Sequence, residues 1–121
     1  MPLRYTVFLF TIATHCARGD WLYHPVLLAL TCTSIVRHWV AHATPSIINI
    51  DRFAAHGCYA LCAYTHLVEY PNAAGAFCLI AVGSLWIYEH QVQDWRAVHA
   101  WLHVVAVIGI LIAVYYRVAP T

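Results

Sequence analysis

Five residues combine types and spacings that suit metal-centred or acid–base chemistry: Ser34, His38, Asp51, His99 and His103. Ser34 and His38 are four apart, as are His99 and His103, so on helices each pair shares one face. Imidazoles beside a carboxylate suit zinc, which takes nitrogen and oxygen ligands and in catalytic sites keeps one position for water. In that arrangement His38, His99 and His103 are the ligands, and Asp51 orients or deprotonates the water. Ser34 then hydrogen-bonds the carboxylate, a ligand or a developing oxyanion. Nitrogens serving one ion should lie within about 3–4 Å of one another. Two of the same histidines, on facing helices, also fit axial ligation of a haem b iron, although haem has no use for Asp51 and Ser34 at the same level. In a third reading the chain is a scaffold subunit of a larger membrane complex, and its histidines only satisfy hydrogen bonds.

The elements that must position these residues follow from composition. The chain has 121 residues, 63% hydrophobic and 9% charged, with a mean hydropathy of +0.69. Soluble domains carry about 25% charged and about 45–50% apolar residues, so the polar surface here is too small to coat a water-facing globule. The expected class is all-α, a single polytopic membrane helix bundle. Six arginines, no lysine and a net charge of +1 leave no basic surface for a phosphate backbone, which excludes nucleic-acid binding. The hydrophobicity excludes disorder, and the lack of charged flanks excludes a coiled coil.

A bilayer core of about 30 Å takes roughly 20 apolar residues per helix. Five segments compete for that status: 5–17, 21–43, 46–68, 73–88 and 97–116. They are punctuated by Gly19-Asp20, Thr44-Pro45, Tyr70-Pro71-Asn72 and the polar run 89–94. The count is four if the first segment is a cleaved signal, with Arg4 ahead of its apolar core. Loops alternate sides, which places Arg4, Arg37, Arg52 and Arg96 on one side and Arg18 and Arg117 on the other, a lean toward the cytoplasm for the first. His38 falls one turn before the end of the second segment and Asp51 one turn into the third. His99 and His103 open the last, which enters from the same side. All five polar groups are therefore expected in one membrane layer, where ionisable groups are costly and mark function. With nine histidines in the chain, a pair spaced four apart is close to what chance supplies. Order, spacing and shared depth together carry the weight.

The remaining polar residues read as structural. His42 suits the interface, and His56 a buried hydrogen-bonding position or an outer partner of the site. His15, His24, His66 and Glu69 suit a solvated rim at the far face. Arg37 and Arg52 suit snorkelling to headgroups, or pairing with Glu89 or Asp94. Cys16, Cys32, Cys58, Cys62 and Cys78 lie in apolar runs and read as small packing residues, not a disulfide framework.

The pattern S34-I-V-R-H38, then I50-D51-R52, then H99-A-W-L-H103-V-V-A-V-I-G109 resembles the three-part signature of the CREST superfamily. That group holds the alkaline ceramidases, the adiponectin and progestin receptors and the Per1-type GPI-lipid remodelling hydrolases. The match covers residues 34–52 and 99–109, and the last motif is most similar to its ceramidase version. The resemblance implies zinc on the three histidines and hydrolysis of an amide or ester bond in a lipid substrate taken from the bilayer. Family members have seven helices and this chain five, and loss of two between the third and the last preserves the orientation of the last. So small a bundle is expected to complete its core by forming a homo-oligomer or joining a larger membrane complex.

Overall fold

The computed structural model describes residues 2–40 and 42–118, and every regular element in them is helical. The elements are α1 (Leu3–Thr6), α2 (Leu9–Cys16), α3 (Tyr23–Trp39), α4 (Pro45–Tyr64), α5 (Ala73–Glu89) and α6 (Trp95–Val118). A π-helical turn, Thr65–Glu69, extends α4.

The first expected segment is present but broken at Val7 and Phe8. Threonine hydroxyls flank the break and bond back to the chain, Thr6 Oγ1 to the Leu3 carbonyl and Thr11 Oγ1 to that of Phe8. Such local bonds compete with the helical ladder. α3 stops at Trp39, four residues short of the expected end, where Val40 turns extended. Trp39 Nε1 donates to the Arg4 carbonyl at 2.8 Å, and its ring takes the edges of Tyr5 and Phe8, so this end of α3 is pinned to α1. Thr44 caps α4, with Pro45 in its first turn. Asn72 Oδ1 accepts from the Gly75 amide ahead of α5. Pro at a helix start and Asn at a cap are what helix termini favour.

The core lies between α2, α3 and α6. Val7, Ala13, Ala17, Tyr23, Leu27 and Ala113 are fully buried there. Small side chains let these helices approach closely, as apolar helix interfaces require. At the far end Arg117 donates to Asp20 at 2.7 Å and also pairs with Glu69. Asp20 accepts from the amides of Leu22 and Tyr23 as well. Burial pushes its carboxyl up, but the Arg117 bond and these amides outweigh burial and hold it below the usual carboxylate range.

α4 packs closely on α3 and touches α6 only sparsely. Between α4, α5 and α6 this leaves a cavity of about 760 Å³ with a mostly apolar wall. The outer faces are apolar too: Phe53, Phe77 and Ile80 are more than two-thirds exposed. Among the described helices α6 is long and apolar enough to cross a membrane, and α5 is apolar but has 17 residues. The fold is all-α, as expected. Length and composition single out one spanning helix where the sequence suggested five.

Candidate metal centre

α3 and α6 bring the three expected histidines together. The ring centroids of His38 stand 5.5 Å from those of His99 and His103, and the latter two are 4.6 Å apart. Each offers a ligand nitrogen, and all three nitrogens lie within 4.8 Å of one another, so the group can hold a metal ion. That spread exceeds the about 3–4 Å that one shared ion imposes, so the rings must close slightly around it.

The hydrogen bonds show which nitrogens are free. His99 Nδ1 lies 2.6 Å from Glu89 Oε2. An ionised carboxylate only accepts, so Nδ1 donates to it and Nε2 is the nitrogen left to face a metal. His103 Nδ1 lies 2.9 Å from Thr6 Oγ1, and that hydroxyl already donates its one proton to the Leu3 carbonyl at 2.8 Å. With that proton on Leu3, Thr6 accepts from His103, an arrangement that leaves Nε2 of this ring open as well. His38 Nε2 is buried and has no hydrogen-bond partner among the described residues. An orphaned buried nitrogen costs about 1–3 kcal/mol, and an ion shared with its two neighbours removes that cost. The residues present thus fit a nitrogen-liganded cation.

Asp51 opens into the same cavity as His99 and His103. Ser34 Oγ donates to its Oδ1 at 2.7 Å, the first of the three partners expected for it. Thr33 Oγ1 shares its proton between that oxygen and the Leu30 carbonyl. Arg37 Nη1 donates to Oδ2 at 3.0 Å, and both side chains of this ion pair are largely buried. The pairing corrects the reading of Arg37 as a snorkelling residue or a partner of Glu89 or Asp94. From the last turn of α3 its guanidinium reaches the buried carboxylate on α4. Oδ2 keeps one acceptor position for a water or a substrate proton.

Further residues depart from their sequence reading. Glu89 ends α5 as a buried partner of His99 and is not part of a polar loop. The fully buried His66 is no rim residue. Its Nδ1 lies 2.9 Å from Asn72 Nδ2 and its Nε2 2.9 Å from the Gly109 carbonyl, so Asn72 donates to Nδ1, and Nε2–H donates to Gly109. The π turn carries it inward, where it lines the cavity well away from the triad. Thr6 is one of several hydroxyls in an apolar run, and nothing in its spacing singles it out. His56 is exposed against the edge of Trp86, and His42 is exposed. Cys58, Cys62 and Cys78 are buried packing residues as expected, whereas Cys16 and Cys32 face outward, and all five are free.

No family model, characterised protein or solved structure matches the sequence.

Proposed function

We propose that the chain is a multi-pass membrane hydrolase that holds zinc on His38, His99 and His103 and cleaves an amide or ester bond in a lipid, like the CREST hydrolases it resembles. The observation that carries this reading is the convergence of three imidazoles, His103 buried and His38 and His99 half-buried, at an apolar cavity that His99 and His103 line together with the fixed carboxylate of Asp51. Zinc, when bound, supplies Lewis acidity: it polarises a carbonyl and brings the pKa of water to about 7.

The chain's own residues do the rest. Asp51, held by Ser34 and Arg37, accepts a proton at Oδ2 from a water positioned in the cavity. Arg37 supplies that carboxylate's counter-charge and fixes its orientation. The cavity's apolar wall takes an aliphatic tail and excludes bulk water. Multi-pass insertion is supported by the 63% apolar composition and by Phe53, Phe77 and Ile80 on outward faces that lipid would cover. Zinc is favoured over haem because the three rings touch one another, and a porphyrin would have to part them.

Elemental analysis of protein purified in detergent tests the metal. Stoichiometric zinc is expected, lost in His38→Ala and in His103→Ala. Hydrolysis of amide-linked and ester-linked lipids tests the chemistry, and Asp51→Asn should abolish it while zinc stays bound. A Soret band in place of zinc would overturn the metal assignment, and full turnover by Asp51→Asn would overturn the role of the carboxylate.

A further inference from the structure

Glu89 and Thr6 come from opposite parts of the chain, the last residue of α5 and the last of α1. Both are buried, at 8% and 3% exposure, and each meets the Nδ1 of a different triad histidine. A carboxylate in an apolar helix bundle is costly unless it is paired, and the partner recorded for Glu89 is His99. With its own proton on the Leu3 carbonyl at 2.8 Å, the Thr6 oxygen takes the accepting role toward His103 at 2.9 Å.

We propose that Glu89 and Thr6 are positioning residues, which lock His99 and His103 in the Nδ1–H tautomer so that both rings present Nε2 to a metal ion. This rests on the metal-binding reading of the triad. A ligating imidazole is commonly oriented by such an outer acceptor, and loss of one weakens metal affinity by about 10–100-fold. The two acceptors differ in kind. Glu89 brings a negative charge that strengthens the ligand, whereas Thr6 brings orientation alone. It follows that the first segment is part of the site, since Thr6 is the acceptor that meets His103 Nδ1 among the described residues.

The test uses the full chain in detergent, with zinc affinity measured by competition against a chelator and histidine tautomers read from nitrogen-15 spectra of the rings. In the metal-free wild type, His99 and His103 should both be protonated at Nδ1. Glu89→Ala should release His99 into a tautomer mixture and weaken zinc binding at least tenfold. Glu89→Gln, which keeps an accepting carbonyl, should recover most of that loss. Thr6→Val should do to His103 what Glu89→Ala does to His99, and Thr6→Ser should restore it. If Glu89→Ala does not fold, Glu89→Asp, with its carboxylate withdrawn by one methylene, replaces it with the same direction expected. Zinc affinities and tautomers unchanged in Glu89→Ala and Thr6→Val would overturn the positioning role and leave the triad standing. A wild type that binds no zinc would overturn both.

Discussion

Gly75→Ala offers a test of the packing that closes the cavity at its far end. A β-carbon built on Gly75 would fall inside the ring of His66, far within contact distance of its Nδ1, Cγ and Cε1. The ring has no free direction of escape, since Asn72 holds its Nδ1 and Gly109 its Nε2, each at 2.9 Å. Either both bonds break or α5 moves away from the π turn. Two buried hydrogen bonds contribute about 1 kcal/mol each, and forcing a methyl into a filled site costs about 1–3 kcal/mol. The better helix propensity of alanine returns about 1 kcal/mol. The net expectation is a loss of about 2–4 kcal/mol, or roughly 10 °C in unfolding temperature for a chain of this size. Gly57, inside α4, has nothing within 4 Å of a built β-carbon, so Gly57→Ala should gain about 0.5–1 kcal/mol. Thermal unfolding of both variants in the same detergent, followed by intrinsic fluorescence, makes the comparison. The reasoning fails if Gly75→Ala is as stable as the wild type, or if the two variants shift in the same direction.

Other perturbations probe other parts of the account. Arg37→Met strips Asp51 of its counter-charge in a largely buried place and should cost about 3–5 kcal/mol, while Arg37→Met with Asp51→Asn should recover much of it; equal stabilities of the single and double variants by denaturant titration would contradict the pairing. The low carboxyl of Asp20 contributes stability that is fully present above its unfolded pKa of about 3.9 and is lost as pH falls through the lower folded value. Asp20→Asn should therefore flatten the acid limb of a plot of unfolding temperature against pH, and parallel curves would refute the linkage. Ser34→Ala removes one of three donors to Asp51, so turnover should fall while zinc content holds. A zinc-free Ser34→Ala protein would place the hydroxyl in the metal site itself.

Much of the site was legible because its chemistry depends on residue type and helical spacing. His99 and His103 share a face by their four-residue separation, and the depth argument placed His38 beside them; Asp51 lines the same cavity as His99 and His103. Ser34 was expected on the carboxylate, a ligand or an oxyanion, and the packing of α3 on α4 puts its hydroxyl on Asp51. The boundaries of α5 were readable from Pro71-Asn72 and the polar run after Tyr88. What escaped detection was pairing across distant segments. Glu89 looked like one more polar residue in that run, and only the packing of α5 on α6 turns it onto His99. Thr6 is one of several threonines with no distinguishing spacing, and the break after α1 decides where its hydroxyl goes. His66 was misplaced because a π turn adds a residue per turn and rotates the side chain inward, a change that a 3.6-residue period does not register. The number of membrane crossings was read from hydrophobic run length, yet α3 ends early and the first segment is broken. Fewer helices meet the spanning criterion than the apolar runs suggested.

X-ray absorption at the zinc edge, on full-length protein purified without added metal, tests the central claim most directly. The account predicts one zinc per chain with imidazole scattering from three histidines, falling to two in His38→Ala variants that retain any metal. Sulfur scattering from the cysteines, an oxygen-only shell, or protein that carries no zinc would contradict it.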